Sequence, residues 1–585
     1  MVSRAAKEWL LRNWRLWLPL ACLWLVVVRF LGAQWSVYEQ YRYGWAVPFL
    51  ALWFAWRRTA QARVEAKNRG VSLTKDKVQP PPAEAIGGAK PKAEVPKRSA
   101  TVFWAMMVLL ALLYIPVRII QESNPVWRGA SYALCLIACG LALGLLFARG
   151  GVPWVRRYAF PVGLMLVGVP WPSGVENIII QRLSGWNTAL TAELLSLLGL
   201  PVLAHGNLIE TAGGAVGVEE ACSGIRSLQA SVMLALAFGE FHRLRFRQRV
   251  GLVGAGAAFA FVFNLVRTAL LTWVAARQGV EAIARWHDPA GVTILLGCFV
   301  SLWGAAVWAG RARARGKQGM LGIEDGAGRP PAAELKAVTS PNTERSKCPP
   351  AEPPEHLHPV FPRLAVGSYG PMLLFCWLLV AEAAAEVWFR SHQHLQQVAC
   401  AWTVAVPEGP TRYRDLPLTD RVRDWLGCDE HASLVWESDE GYRWQLFYFR
   451  WLPAQGLTRT AQIALSRTHR PDHCLPASGR TLLRELELQE VEIGTLRLPF
   501  RVYTFDDQGT LLLVFHCLWE DGTRPGQIAN LRENTRARLA AAWAGSRGVG
   551  QRSLQVAVWG YPDLDAARSA LADELKHLVR TGQGP

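Results

Sequence analysis

Residues 251–276 read GLVGAGAAFAFVFNLVRTALLTWVAA, and Arg267 is the only charged side chain among them. A transmembrane helix needs about 20 largely apolar residues, so this stretch is long enough to cross a bilayer. The whole chain has 585 residues, of which 51% are hydrophobic, and it contains 27 tryptophans. This composition is typical of membrane proteins and argues against a secreted soluble enzyme.

Eight further apolar stretches have the composition of membrane spans. The nine predicted spans cover about residues 14–34, 43–57, 101–120, 129–148, 156–171, 223–240, 250–275, 288–309 and 368–389. The first span follows a basic segment, as a signal sequence would, but Arg29 interrupts it and no small-residue cleavage site follows. We therefore predict an α-helical polytopic membrane protein that retains its first span.

The net charge of +17 is concentrated in short basic segments between the apolar runs. This pattern is typical of cytoplasmic loops rather than of nucleic-acid binding, so we expect no nucleic-acid partner. Residues 57–100 carry eleven Lys or Arg and four Asp or Glu, whereas residues 172–221 carry five acids and one arginine. The positive-inside rule therefore predicts a cytoplasmic N-terminus and an extracytoplasmic segment at 172–221.

The predicted spans divide the chain into four parts. Residues 1–310 are predicted to form an eight-span membrane domain with a cytoplasmic linker at 57–100. Residues 311–367 form a second, Pro-rich cytoplasmic linker, 368–389 a ninth span, and 390–585 an extracytoplasmic domain. Alternating aromatic patterns and capped helical patterns predict an α+β fold for this last domain. Its predicted strands lie at 443–451, 481–493, 496–505 and 510–519, and its predicted helices at 530–545 and 563–579.

The segment VEEACSGIRSL, residues 218–228, places Cys222 at the outer mouth of the sixth predicted span. The free N–H groups of a helix N-terminus favour a thiolate, which makes Cys222 a candidate nucleophile. Arg226 follows one turn later and could pair with the thiolate or with Glu219 or Glu220. An isolated cysteine here is more often a small residue in a tight turn, and two adjacent acids are usually solvated. The choice depends on what else reaches this surface.

Two further polar residues are predicted to reach the same membrane surface. Arg267 lies within the hydrocarbon zone, where a charge is costly and usually functional, and Asn264 lies one turn away as a possible hydrogen-bond partner. His287, in RWHDPAGV, lies at the outer mouth of the next span. Taken singly, the arginine side chain could extend to the membrane surface, and the histidine could have no catalytic role.

Together, the thiol, the imidazole and the guanidinium indicate a specific chemistry. An imidazole can take the thiol proton and later protonate a leaving amine, and an arginine can stabilise the developing oxyanion. We therefore predict acyl transfer through a thioester at Cys222, acting on a peptide bond close to a membrane anchor.

The motifs EEACSGIRSL, NLVRTALL and HDPAGV resemble those of the exosortase/archaeosortase family of membrane cysteine transpeptidases, and the resemblance covers about residues 14–310. It implies that Cys222, Arg267 and His287 are catalytic. The supporting residues at this site are predicted to be Arg226, Asn264 and Glu219.

The resemblance also implies a location and partners. The enzyme would lie in a bacterial inner membrane among lipids. Its substrates would be exported proteins with a C-terminal sorting tail, made of a Pro-Glu-Pro-type motif, a transmembrane helix and a basic cluster. The acceptor would be a cell-surface polysaccharide or a lipid-linked group.

The C-terminal domain carries a second motif. SRTHRPDHCLPASGR, residues 466–480, is similar to the His-x-Pro-x-x-Cys-x-Pro signature of an exosortase-associated domain found in exopolysaccharide loci. The motif match selects His469 and Cys474, whose separation is too loose to predict a metal site. They could form a second reactive pair, a disulfide half beside a histidine, or a staple for the loop.

The cysteines of the exported domain raise a separate question. An oxidising compartment would permit up to two disulfides in any of three connectivities. On a predicted strand, His516 is expected to be a core residue and Cys517 a disulfide partner. The four cysteines concerned are Cys400, Cys428, Cys474 and Cys517.

Two other classes of function compete with the transpeptidase. A non-catalytic membrane protein of exopolysaccharide export or assembly would need no reactive thiol. A transporter is disfavoured because the spans contain no inverted repeat or pair of broken helices. No motif implies a metal or an organic cofactor.

Overall fold

The computed structural model describes residues 14–68, 97–217, 224–324 and 370–393, and most of 401–582. Within 401–582 it does not describe residues 407–411, 419–421, 424–425, 454–455, 466, 468–469, 478–479, 495, 522 and 524–533.

The described chain up to residue 393 is almost entirely helical. Its helices are α1 (Trp14–Val37), α2 (Ala46–Asn68), α3 (Lys97–Ser123), α4 (Arg128–Leu164), α5 (Ser173–Leu197), α6 (Ile225–Phe241), α7 (Phe246–Gln278), α8 (Ile283–Glu324) and α9 (Gly370–Gln393). A small antiparallel sheet separates α5 from α6. Its strands are β1 (Val202–His205), β2 (Leu208–Thr211) and β3 (Gly214–Gly217).

Six of the described helical segments are long and apolar enough to cross a membrane. They are Trp14–Val37, Ala100–Ser123, Arg128–Gly168, Phe246–Gln278, Arg285–Ala312 and Gly370–His392. The chain is therefore a polytopic helical membrane protein. The predicted spans at 43–57 and 223–240 correspond to α2 and α6, which are not among these six. The count of nine stays a prediction.

The predicted spans at 129–148 and 156–171 lie on the two arms of α4, which are separated by a sharp turn, and the second arm is followed by the 3-10 segment Met165–Gly168. Gly151 has φ +65°, a conformation that a residue with a side chain rarely adopts. Beyond the turn the chain runs back along itself. The evidence is a contact between the two arms, in which Cys139 Sγ donates to the Val162 carbonyl oxygen at 3.6 Å.

Helix α5 was not predicted. Its polar residues Asn187 and Thr191 are buried, while Trp186 and Leu190 on its other side are exposed. Hydropathy averaged over a window includes both faces of the helix. The buried polar face lowers this average, so the segment was not recognised as a helix with an apolar outer face.

Two helices extend into the segments that were predicted as linkers. Helix α2 continues to Asn68, beyond the predicted linker start at residue 57, and α8 continues to Glu324, beyond the predicted start at 311. Hydropathy falls where charged residues begin, but the backbone hydrogen bonds of a helix do not depend on the polarity of exposed side chains.

The C-terminal region is rich in sheet, as expected for an α+β domain. Its strands are β4 (Ala401–Val404), β5 (Arg414–Asp415), β6 (Glu430–Glu437), β7 (Arg443–Trp451), β8 (Thr481–Glu485), β9 (Gln489–Ile493), β10 (Leu496–Asp507), β11 (Thr510–Glu520), β12 (Gln551–Trp559) and β13 (Val579–Gly582). Its helices are α10 (Leu457–Leu465), α11 (Pro471–Ala477), α12 (Thr535–Trp543) and α13 (Leu564–Leu578).

The main sheet of this region is antiparallel and runs in the order β5-β6-β7-β12-β11-β10-β8, with β9 paired to β10. Helix α13 packs on one face through Leu571 and Leu575, which are fully buried with Trp436 and Trp444. Asp563 caps this helix, since its carboxylate accepts the Ala566 N–H at 2.8 Å.

The sheet-rich region contacts the ends of α3 and α9. Asn124 Nδ2 donates to the Arg538 carbonyl oxygen at 3.1 Å, and Trp388 Nε1 donates to the Ala542 carbonyl oxygen at 3.2 Å. Arg547 pairs with Glu386 at 2.7 Å. These bonds fix the region at the end of the helical domain where α3 ends and α4 begins.

Candidate functional site

Arg267 and His287 meet at one end of the helical region. Arg267 lies on α7, eleven residues before the helix ends, and His287 lies in the second turn of α8. Arg267 Nη2 is 2.8 Å from His287 Nε2. The guanidinium also lies close to α8 at Gly291, where an added Cβ atom would be in ordinary contact with Nη2 at 3.7 Å. Two of the predicted catalytic residues are thus brought into contact.

The contact favours one tautomer of the histidine. A guanidinium can only donate, so Nε2 accepts and a neutral imidazole carries its proton on Nδ1. Nδ1 lies 3.0 Å from Asp288 Oδ1, which can accept a hydrogen bond from the Nδ1–H group. The side chain of Asp288 is 92% exposed, so water competes for this carboxylate. Sequence reasoning missed Asp288, although its position next to the histidine was a visible signal.

Gly224 and Asn264 join the start of α6 to α7. Gly224 has φ +84° and precedes the first residue of α6. A Cβ atom at Gly224 would lie only 3.0 Å from Cγ and Nδ2 of Asn264, so the backbone packs directly on this buried amide. Asn264 is one turn before Arg267 on the same helix. Cys222 and Glu219 lie outside the described residues.

Arg226 has a partner that the sequence did not suggest. Its Nη2 donates to the carboxylate of Glu39, in the short 3-10 segment Glu39–Trp45 after α1. The expected partners Glu219 and Glu220 lie outside the described residues. Since 187 positions separate Arg226 from Glu39, sequence spacing offered no signal for this pair.

A buried cluster centred on Glu176 lies near the start of α6. Glu176 is 1% exposed and pairs with Arg128, while Tyr41 donates its hydroxyl proton to Glu176 Oε1 at 2.6 Å. Gln229, one turn into α6, donates to the same oxygen at 3.2 Å. The cluster links the start of α4, α5 and α6 to the segment after α1. It holds the helix that follows Cys222 in the sequence.

The C-terminal motif is only partly described. His469 lies outside the described residues, and Cys474 lies in the short helix α11 with an exposed side chain. The three interpretations of this motif therefore remain predictions.

Up to two disulfides were possible among the four cysteines of the C-terminal region, but two of these cysteines form none. Cys428 and Cys517 are free thiols. Cys517 lies on β11 with no exposed surface, packed among core side chains, and burial raises the pKa of its thiol. Its predicted role as a disulfide partner fails because the strand points this side chain into the core. His516, beside it, is buried as predicted, and burial together with Arg470 and Arg501 lowers its pKa to about 4.

Among the residues that the structure describes, no three His, Cys, Asp or Glu side chains are grouped to hold a metal ion. The site that the structure does assemble is therefore one of arginine, histidine and nearby amides.

Comparison with known proteins gave one match. Residues 35–304 match the family described as Transmembrane exosortase (Exosortase_EpsH). Neither the curated proteins nor the solved structures gave a match. The matched region contains Arg267, His287 and the Glu176 cluster.

Proposed function

From the match of residues 35–304 to the transmembrane exosortase family, we propose that this chain is a membrane cysteine protease and transpeptidase of that family. It cleaves the C-terminal sorting tail of exported proteins, of the Pro-Glu-Pro type followed by a transmembrane helix. The cleaved protein is held as a thioester on Cys222 and passed to a surface acceptor.

The observation that carries this proposal is the 2.8 Å contact between Arg267 Nη2 and His287 Nε2. The helices α7 and α8 place a fixed positive charge and an imidazole side by side. Gly224, two positions after Cys222 in the sequence, packs on Asn264 one turn from that arginine. The thiol, the base and the positive charge are the three groups that thioester chemistry needs.

In the proposed first half-reaction, His287 accepts the thiol proton and the sulfur of Cys222 bonds to the scissile carbonyl carbon. Arg267 stabilises the negative charge on the carbonyl oxygen. The C–N bond then breaks, and the imidazolium gives its proton to the leaving amine. Since Nε2 accepts from Arg267 in the resting state, proton uptake at that atom requires the guanidinium to turn towards the oxyanion.

In the second half-reaction an amine, a hydroxyl group or water attacks the thioester carbonyl carbon. It loses a proton to His287, and the sulfur leaves as a thiolate. The acceptor class that we propose is a surface polysaccharide or a lipid-linked group, with hydrolysis as the reaction when water arrives first.

We place the site on the extracytoplasmic side of a bacterial inner membrane, with the N-terminus in the cytoplasm. The opposite ends of the helices support this orientation, since Arg58, Arg249 and Glu240 meet there beside the basic residues Arg156 and Arg157. Positive charge of this kind favours the cytoplasmic side. The sheet-rich region contacts the other end, where the arginine and histidine also lie.

We also propose domain boundaries that agree with this orientation. Residues 1–310 form the catalytic membrane domain, 311–367 a cytoplasmic linker, 368–389 the ninth span, and 390–585 the extracytoplasmic domain. In this arrangement the last domain lies on the membrane surface where tailed substrates and acceptors would meet.

The test is to co-express the wild type or the Cys222→Ala variant with a tailed protein encoded in the same genome. Cys298→Ala is the matched control, since it removes a buried thiol from α8. We expect the wild type and Cys298→Ala to shorten the substrate and Cys222→Ala to leave it at full mass. Intact mass spectrometry separates hydrolysis from transfer. Equal processing by Cys222→Ala would refute the mechanism and support a non-catalytic role in polysaccharide assembly.

A further inference from the structure

The buried face of α5 carries polar side chains at helical spacing. Asn187 and Thr188 are adjacent, Ser184 precedes them and Thr191 follows them by three or four residues, and all four are at most 1% exposed. Residues at this spacing share one helix face. Helix α5 packs chiefly on α7, and we call the contact between these two faces the α5–α7 seam.

The α7 side of the seam is polar as well. Asn187 Nδ2 donates to Thr268 Oγ1 at 2.6 Å, and Thr272 lies one turn further along α7 with no exposed surface. Thr268 directly follows Arg267 in the chain. The seam therefore begins beside the arginine and histidine pair.

Most of these polar atoms have no partner within the described parts of the chain. Among the described residues, none pairs with the hydroxyl oxygens of Ser184, Thr188, Thr191 and Thr272, with Asn187 Oδ1 or with Arg267 Nε. Buried polar atoms are normally hydrogen-bonded, and leaving them unpaired costs free energy. Five side chains that each have an unpaired oxygen, together with one guanidinium nitrogen, lie along one seam and indicate a ligand with matching polar groups.

The site restricts what that ligand can be. A peptide bond within a helix has its carbonyl and N–H occupied, so a cleavable segment must be extended. Inside the hydrocarbon zone an extended backbone must find hydrogen-bond partners on the protein. Hydroxyl and amide side chains can donate to carbonyls and accept from N–H groups.

The length of the seam agrees with such a segment. At about 1.5 Å per residue, Ser184 to Thr191 spans roughly 10 Å of helix. An extended chain rises about 3.3 Å per residue, so the seam accommodates on the order of three residues.

We propose that the α5–α7 seam binds the extended backbone of the membrane-anchored peptide substrate, next to Arg267 and His287. This inference rests on the proposed peptidase function. The substrate enters laterally from the lipid by parting α5 from α7. The outer face of α5 is suited to that movement, since Trp186 and Leu190 are exposed. In the parted state the substrate backbone pairs with the hydroxyl groups that the closed seam leaves unsatisfied.

The test compares two substitutions at Thr188 and Thr191. Valine keeps the shape of threonine and removes the hydroxyl group, whereas serine keeps the hydroxyl group. We expect Thr188→Val with Thr191→Val to lower kcat/KM for tail removal at least tenfold and to leave the melting temperature equal or higher. We expect the double serine variant to retain activity. The control is Thr293→Val on α8, whose hydroxyl already donates to its own helix at Pro289 O at 2.8 Å.

A second readout does not depend on cleavage. A tailed protein from the same genome carries a diazirine amino acid beside its membrane helix and is co-expressed with the Cys222→Ala variant. After irradiation, we expect cross-links to map to residues 184–191 and to fall severalfold when Thr188 and Thr191 are valine.

The outcomes separate this inference from the function on which it rests. Wild-type processing together with a fully active double valine variant, or cross-links mapping elsewhere, would overturn the seam proposal and leave the peptidase intact. No processing by the wild type together with cross-links in 184–191 would overturn the peptidase and retain the seam as a peptide site.

Discussion

The guanidinium of Arg267 donates to Nε2 of His287 across 2.8 Å and thereby joins α7 to α8. One planar group thus touches the base, lies close to Gly291 and has a further N–H at Nε. A lysine carries its charge at a single point and cannot reproduce this fork.

We expect Arg267→Lys to lower the rate of tail removal by about 10²-fold or more, the range found when a donor to an oxyanion is lost. The matched control is Arg277→Lys, an exposed position on the same helix, which we expect to behave as the wild type. Processing is measured by immunoblot at equal enzyme abundance. A fully active Arg267→Lys variant would show that only net charge matters.

Asp288 accepts from His287 but is exposed to solvent. Exposed charged hydrogen bonds contribute about 0–1 kcal/mol, so we expect Asp288→Asn to lower the processing rate less than about fivefold. His287→Gln removes the proton acceptor and should cost about 10²-fold or more. Single-turnover rates of the two variants make the comparison. Equal losses would mean that Asp288 is an essential orienting residue despite its exposure.

Gly224 is required for two separate reasons, its φ of +84° and its contact with Asn264. We expect Gly224→Ala to lower both stability and activity. Gly199→Ala is the matched control because Gly199 has φ +79° but no atom within 4 Å of an added Cβ. The control should lose only the stability that a left-handed backbone costs a residue with a side chain, about 1–2 kcal/mol. Thermal unfolding in detergent measures both, and equal shifts would rule out a role for the Asn264 contact.

Residues with an unusual local environment could be predicted from the sequence. Arg267 was found because a charge interrupts an apolar run, and His287 because it lies at the mouth of the next run. The sequence could not predict that the two touch, because their 2.8 Å contact depends on how α7 and α8 pack.

The elements that were missed share a physical cause. Helix α5 hides its polar face inside the protein, so hydropathy assigned it to a loop. Glu39 and Glu176 acquire their roles from partners far away in the chain, Arg226 and Tyr41, at separations of 187 and 135 positions. Local pattern carries no information about such contacts, whereas strands such as β7 and β11 follow from local composition.

The Glu176 cluster should be essential for stability. Glu176→Gln keeps the volume but leaves the mostly buried Arg128 without its carboxylate, and breaking a buried ion pair costs roughly 3–5 kcal/mol. We expect a clear fall in melting temperature, measured by heat treatment and fractionation of the membrane extract. Glu193→Gln, at an exposed position on the same helix, is the control and should leave the melting temperature unchanged. If Glu176→Gln left the melting temperature unchanged, Tyr41 and Gln229 would be sufficient to hold the cluster without the charge.

His516 should make the sheet-rich region sensitive to acid. Its pKa is lowered to about 4 in the folded protein, mainly by burial, against about 6.5 in an unfolded chain. The folded state therefore binds fewer protons than the unfolded state between these values. The stability that neutral His516 contributes is fully present above pH 6.5 and is lost as the pH falls towards 4. The full loss is about 3 kcal/mol, of which less than half is reached at pH 5.5.

The measurement is pulse proteolysis of the full chain in increasing urea at pH 7.5, 5.5 and 4.5, with cleavage followed in the region of β11. We expect the His516→Gln variant to lose less stability than the wild type over this range, because glutamine does not titrate. His431→Gln removes an exposed histidine from β6 of the same sheet and should keep the wild-type pH dependence. If His516→Gln and the wild type lost stability in parallel, acid sensitivity would have to come from the carboxylates, and His516 would be protonated in the folded sheet at no extra cost.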